Sequence, residues 1–294
     1  MNNKLALGCM RLSKLTIEEA EKLILFAVDN GVDFFDHADI YGSRRCEEIF
    51  GEVLRRNPGL REKIVIQSKC GICKEYYDLS KEHIIKQVEQ SIQLLNCGYL
   101  DILLLHRPEA LVDYNEVNEA FNYLYDNGLV KSFGVSNMNV NQIELYNKYL
   151  THKITHNQVQ FSVVHSHLIS EGLFVNMSEI ESPSRSGGLI EYAMLKDINL
   201  QAWSPLMASW EDGTFIDNPK YEDVNKKLEE LANKYSVSKN AIAIAFILRH
   251  PANIIPVVGT TSIIHLEEML KAKDITLTKE EWYSLYLSGG HILP

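Results

Sequence analysis

The sequence predicts a (β/α)8 barrel forming one α/β domain over residues 1–294. Two observations carry that reading. Short apolar runs alternate with amphipathic segments eight times from end to end, the pattern of a parallel sheet closed on itself. No G-x-G-x-x-G turn follows an early strand, which removes the doubly wound open sheet. The length of 294 residues agrees, since α/β barrels run to this size as one domain.

The elements follow in order. "KLALG" (4–8) is a buried strand by composition. In "TIEEAEKLILFAVDNG", Ile17, Ala20, Leu23, Ile24 and Ala27 recur at helical spacing, with Thr16 as cap and Gly31 as stop. "VDFFD" and "RRCEEIFGEVLRR" make the second strand and helix. "EKIVIQSK" is the third strand, and "SKEHIIKQVEQSIQLLN" its helix, opened by Ser80 as N-cap. "YLDILLLHRP" is a strand closed by Pro108, and "DYNEVNEAFNYLYDNG" a helix closed by Gly128. "VKSFGVSN" with "NVNQIELYNKYL" is the fifth pair, and "THNQVQFS" the sixth strand. A long irregular stretch ending in "ESPSRSGG" is expected before the helix at "LIEYAMLKD". "INLQAWSPL" is the seventh strand, followed by helices at "YEDVNKKLEELANKYS" and "SKNAIAIAFILRH". "NIIPVVG" is the eighth strand, "SIIHLEEMLKA" its helix, and "TKEEWYSLYLSG" an added C-terminal helix.

Composition excludes several classes. A net charge of -10 and pI near 5.5 without a basic stripe disfavour nucleic acid and anionic membrane as partners. No apolar run has the length of a membrane span and "MNNKLALG" lacks a signal-peptide shape, so a cytoplasmic protein is expected, as a monomer or weak homo-oligomer. Five scattered cysteines fit reduced thiols. "CGIC" is nominally C-x-x-C. It reads as loop rather than helix start, against a thioredoxin-like site, and no second ligand pair stands at zinc spacing, so no metal is expected.

In such a barrel the C-terminal strand ends form the active face. Asp36 ends the second strand, in "FFDHADIYG", and Tyr41 lies just beyond it. Lys69 ends the third strand and His106 the fourth. Any one of these alone is better explained as a satisfied rim residue or a surface ion pair. Four of them at the ends of three consecutive strands form a set. A nearby ammonium favours phenolate, so Lys69 is expected to lower the pKa of Tyr41, with Asp36 holding the lysine charged. Histidine can donate to a substrate oxygen or share a proton with the tyrosine. Together they form a proton donor aimed at an oxygen gaining negative charge. Neighbouring His37 points the other way along the strand and is expected to pack or cap.

With "FDHADIYG", "SKCGI", "LLLHRPE", "FGVSNM", "NQVQFS", "AWSPL" and "VVGTTSIIHLEE" in this order, the chain resembles the aldo-keto reductases over essentially its whole length, nearest a bacterial oxidoreductase branch. The resemblance implies that Asp36, Tyr41, Lys69 and His106 are the catalytic tetrad, with Tyr41 as general acid. It implies a nicotinamide cofactor, NADPH with NAD possible, across the barrel mouth. Ser136, Asn137 and Gln158 match positions holding the carboxamide, and Trp203 the aromatic stacked on the nicotinamide ring. Ser204, Pro205 and Leu206 match the loop over the pyrophosphate. Gly259, Thr260, Thr261 and Ser262 lead into a helix whose N-terminus suits a phosphate. Gly8, Cys9, Met10 and Arg11 match the loop after the first strand.

Glu268 matches the family, but His265 stands where many members carry an arginine for the 2′-phosphate, and Met269 where an asparagine often contacts adenine. The family's N-terminal hairpin does not precede the first strand. The expected activity is NADPH-dependent reduction of a small aldehyde or ketone to an alcohol. The alternative is a nicotinamide-binding sensor or subunit with a vestigial reductase site. A metal-dependent barrel hydrolase, suggested by His165 and His167 in "VHSHL", lacks a carboxylate-rich partner set.

Overall fold

The computed structural model describes residues 5–178 and 183–294. Lys4 of the first predicted strand, and Glu181 and Ser182 of "ESPSRSGG", lie outside them. The strands are β1 (Ala6–Gly8), β2 (Phe34–Asp36), β3 (Val65–Cys70), β4 (Leu100–Leu105), β5 (Val130–Ser136), β6 (Ile154–Gln160) and β7 (Asn199–Trp203). Then come β8 (Met207–Ser209) and β9 (Gly213–Thr214), a separate antiparallel hairpin, and β10 (Ile255–Val258). The remaining eight close into a barrel in the order β1-β10-β7-β6-β5-β4-β3-β2, and every register defined between barrel strands is parallel.

The helices are α1 (Ile17–Asp29), α2 (Arg45–Arg56), α3 (Lys81–Leu95), α4 (Tyr114–Asp126), α5 (Val140–Tyr149) and α6 (His167–Leu173). They continue as α7 (Leu189–Leu195), α8 (Glu222–Tyr235), α9 (Lys239–Leu248), α10 (Ile263–Leu270) and α11 (Lys279–Ser288). Local chemistry sets several of their ends. Thr16 and Glu19 form a reciprocal capping box on α1, as Asn139 and Gln142 do on α5 and Thr278 and Glu281 on α11. Ser80 stands at the N-cap of α3, but its side chain makes no capping bond. The stretch expected to be irregular after the sixth strand contains α6, and the β8–β9 hairpin was not foreseen. Both are short, below the length at which periodicity separates helix or strand from loop.

By compactness the chain gathers into two units, Met1–Gln158 with Gly259–Thr261, and Val159–Val258 with Ser262–Pro294. In the first, α2 crosses α3 at Gly51, where a Cβ would lie 1.9 Å from the carbonyl oxygen of Leu94. Phe121 stacks on Phe133 with ring centroids 3.9 Å apart. The core of the second unit includes Phe246 stacked on Trp282 at 4.7 Å, and α9 buries seven of its ten residues.

Candidate active site

Parallel register brings the strand ends of the first unit level with one another. Gly8 of β1 pairs with Asp36 of β2, which pairs with Gln67 of β3. Lys69, two residues on, shares the face of Gln67 because successive strand side chains alternate. The Lys69 ammonium donates to both Asp36 oxygens, at 2.6 Å to Oδ1 and 2.7 Å to Oδ2. It also reaches the His37 carbonyl at 2.9 Å and the Tyr41 hydroxyl at 3.2 Å. Asp36 Oδ1 accepts further bonds from Gln67 Nε2 at 2.6 Å and Gln158 Nε2 at 2.9 Å. His106 follows β4, and its ring stands edge-on to that of Tyr41, centroids 6.2 Å apart.

The protonation states follow from this packing. Burial raises the Tyr41 pKa, and the Lys69 charge, which lowers it, does not outweigh burial. The expectation of a net lowered phenol is therefore corrected: Lys69 moderates the rise. Burial works against the Lys69 charge, but Asp36 and Tyr41 more than compensate, and its pKa lies above the ordinary value. Burial, then Lys69 and Arg107, push His106 well below the imidazole range, so it is neutral near pH 7. The site thus holds one ion pair, a protonated phenol and a neutral imidazole.

Other expected residues fall into separate groups. Ser136 Oγ donates to the Gln158 carbonyl at 2.8 Å, and Asn137 Nδ2 donates to Ser136 Oγ at 2.8 Å. Asn137 itself sits in the left-handed region at φ 57°. This places Ser136, Asn137 and Gln158 in one network, tied to Asp36. Gly8 and Met10 belong to the first strand end and its loop, and Arg11 Nη1 donates to the Gly259 carbonyl at 2.8 Å. A Cβ on Gly259 would lie 3.2 Å from that nitrogen. Thr260 and Thr261 follow directly and are half-buried.

In the second unit Trp203 ends β7 and stacks on exposed Trp210, centroids 6.4 Å apart. Ser204 adopts φ 51°, Pro205 is buried, and the Leu206 carbonyl accepts from Thr214 Oγ1 at 2.8 Å within the hairpin. Ser262 caps α10, accepting from the His265 amide at 3.3 Å. His265 and Glu268 line a cleft of about 400 Å³ together with Lys239, Asn240, Asp217 and Glu229. Lys239 pairs there with both Asp217 and Glu229. Met269, which stands where many members carry asparagine, is buried, 2% exposed.

His37 packs as expected, its ring edge-on to Phe50 at 4.6 Å, and burial lowers its pKa to about 3. His165 and His167 stand with ring centroids 4.9 Å apart, but among the described residues they belong to no set of three ligands. Gln67 was missed by sequence reading, although its two-residue offset from Lys69 carried the signal. Lys239 was missed because nothing local relates it to His265.

The fold and site define a barrel oxidoreductase, and comparison with known proteins agrees. The description "Aldo/keto reductase family" matches residues 4–286. An uncharacterized oxidoreductase, YcsN, of Bacillus subtilis is 33% identical, over 98% of this chain and 94% of that protein. A 6-dehydroglucose reductase of Agrobacterium fabrum is 32% identical, over 87% and 82%. The crystal structure of a Bombyx mori aldo-keto reductase in complex with NADP superposes with a TM-score of 0.74, at 22% identity, covering 98% of this chain and 90% of that one. The chain belongs to the aldo/keto reductase family and is an NAD(P)H-dependent oxidoreductase.

Proposed function

We propose that the protein reduces a small aldehyde or ketone to the alcohol, using NADPH in preference to NADH, with Tyr41 as proton donor. The observation that carries this is the Lys69 ammonium, held by Asp36 at 2.6 and 2.7 Å while touching the Tyr41 hydroxyl at 3.2 Å. Tyr41 keeps its proton at neutral pH and can deliver it to a carbonyl oxygen. Lys69 remains as the cation beside the oxygen that loses it. His106, neutral, offers a ring N–H to orient that carbonyl oxygen.

The residues present suit a nicotinamide cofactor. Gly259 leaves room for Arg11 against its carbonyl, where a larger residue would crowd. The first turn of α10 begins with Ile263 and Ile264, whose amides have no acceptor within the helix, while the His265 amide is capped by Ser262; such a helix start is of the kind that holds phosphate. Ser136 and Asn137 would hold the carboxamide, with Gln158 bound to Asp36 behind them. Trp203 would meet the nicotinamide ring, and Ser204, Pro205 and Leu206 would border the pyrophosphate. When bound, the nicotinamide supplies the hydride for the carbonyl carbon. The preference for NADPH is proposed from His265 and Lys239 in one cleft. Asp217, Glu229 and Glu268 in the same cleft oppose a phosphate and should keep that preference modest.

Loss of reduced-nicotinamide absorbance with a panel of aldehydes, ketones and quinones, run against Tyr41→Phe, tests the proposal. Turnover with at least one class, lowered by about 100-fold or more in the variant, supports it. Cofactor binding without turnover on any compound would favour the sensor or subunit reading instead.

A further inference from the structure

The "CGIC" motif does not act as a pair. Cys70 lies within β3 and is 1% exposed, while Cys73 is half-buried on the hairpin that follows. That hairpin is well made. Cys73 N donates to the Tyr76 carbonyl at 2.9 Å, Ile72 bridges Tyr77, and Asp78 N donates to the Gly71 carbonyl at 3.0 Å. It turns the chain so that Cys73 and Asp78 face His83, the third residue of α3. One ligand atom from each of the three lies within 4.8 Å of the others. Zinc was set aside for want of a second ligand pair near C-x-x-C. Folding instead supplies partners in the spacing C-x4-D-x4-H.

We propose that Cys73, Asp78 and His83 bind one divalent cation of borderline softness, of the zinc class. A thiolate, a carboxylate and an imidazole suit zinc and cobalt rather than magnesium or calcium, which prefer all-oxygen shells. Thiolate and carboxylate together match the charge of a dication. His83 Nδ1 stands 3.5 Å from Asp78 Oδ2, so these two groups already face each other. His83 Nε2 is shut off from solvent with no hydrogen-bond partner among the described residues. Asp78 Oδ1 accepts the Ser80 amide at 3.0 Å, which holds the carboxylate in place. Tetrahedral zinc places its ligand atoms about 3.3–3.7 Å apart, so no pair need close by more than about an ångström. The half-exposed Cys73 side chain can supply that movement. Three protein ligands leave the fourth position to water. The ion would tie the loop that leaves the strand end of Lys69 to the first turn of α3.

The test uses the full chain, without an affinity tag, stripped by chelator and kept reduced. Cobalt titration should give a thiolate-to-cobalt charge-transfer band saturating at one ion per chain. Zinc should displace it, and excess magnesium or calcium should not. Cys73→Ser should abolish the band and weaken zinc binding about 100-fold, and His83→Gln about tenfold. Cys70→Ser should keep wild-type binding. Zinc should raise the thermal midpoint of the wild type and of Cys70→Ser equally, that of His83→Gln less, and that of Cys73→Ser least. Absence of the band at saturating cobalt, or wild-type zinc affinity in Cys73→Ser, would overturn the assignment. Loss of the band in folded Cys70→Ser would overturn it too, by showing a C-x-x-C pair.

Discussion

Replacing Lys69 by methionine tests the centre of the site most directly. The side chains of Lys69 and Asp36 are 0% and 3% exposed, so their pairing is almost wholly desolvated. Removing one partner of a buried pair costs about 3–5 kcal/mol, chiefly because the other charge is left behind. Here Gln67 and Gln158 still donate to Asp36 Oδ1, while Oδ2 loses its 2.7 Å bond to the ammonium. Two neutral donors cannot replace a cation but do soften the loss, which points to the lower end, about 3 kcal/mol. Catalysis should suffer separately. Without Lys69 nothing as close opposes the effect of burial on Tyr41, and turnover at pH 7 should fall by about 100-fold or more. The pH dependence has a definite sign. Because the folded pKa of Lys69 is raised, its stabilisation is complete below the ordinary lysine value near 10.4 and is lost as pH rises through the folded value. The stability gap between wild type and Lys69→Met should hold from pH 7 to 9 and narrow only beyond about 10.4. Denaturant unfolding across pH gives the gap, and single-turnover oxidation of the cofactor gives the rate. A variant matching wild type in both at pH 7, or a gap already closing below pH 9, would refute this account of Lys69.

Tyr41→Phe should lower the single-turnover rate by about 100-fold or more while leaving cofactor affinity within about twofold, since only a hydroxyl is lost. Near-normal turnover with chemistry limiting would remove Tyr41 as the acid. His265→Arg should widen the ratio of NADH to NADPH dissociation constants by about tenfold, because a guanidinium binds phosphate bidentately. An unchanged ratio in competitive binding would place His265 away from the 2′-phosphate. Acid should destabilise the fold. Burial lowers His37 to about 3 and His156 and His165 to about 4, so the unfolded chain takes up these protons near pH 6.5 and the folded one does not. Asp39, raised to about 7 by burial, acts oppositely, since only the folded chain binds its proton between pH 7 and 4. These histidines, with His106 also held neutral by burial, outnumber Asp39, so the unfolded chain binds more protons and stability falls as pH drops from roughly 6 to 5. Denaturant midpoints that stay flat or rise on acidification across that interval would contradict it.

The parts of the fold legible in the sequence are those where one stretch of chain contains its own reason. Thr16, Asn139 and Thr278 announce helices because the partners that complete their capping boxes lie three residues on. Ser80 looked the same and caps nothing by its side chain; Asp78 Oδ1 accepts the Ser80 amide instead, at 3.0 Å. Helix α6 and the hairpin after β7 escaped because seven residues, or three paired with two, give periodicity too little to work on. Partners distant in sequence were beyond reach for the same reason. Nothing near Cys73 tells that its thiol turns toward His83 while Cys70 turns inward, and nothing near His265 tells that Lys239 shares its cleft.

The sign of the Tyr41 shift shows why strand ends can be read locally and acidity cannot. Asp36, Lys69 and His106 were found by where apolar runs stop, a local feature. Desolvation depends on everything packed around a group, and for Tyr41 it outweighs the adjacent ammonium. The outcome has chemical consequences. Asp36 and Lys69 cancel, Tyr41 is protonated and His106 neutral, so the four side chains together carry no net charge near pH 7. A cluster of zero charge can be buried without a large penalty, provided the ion pair inside it is fully hydrogen-bonded. Lys69 meets two carboxylate oxygens, a carbonyl and a phenol, while Gln67 and Gln158 hold the carboxylate from other directions. In the proposed reduction, negative charge develops on the carbonyl oxygen as hydride arrives at carbon. It then appears in a neutral site whose nearest cation already touches the proton donor. A phenol already ionised before substrate arrives would have no proton to give and would repel that charge. Burial that keeps Tyr41 protonated, with a lysine to receive the charge only once it forms, is the arrangement that confines stabilisation to the transition state.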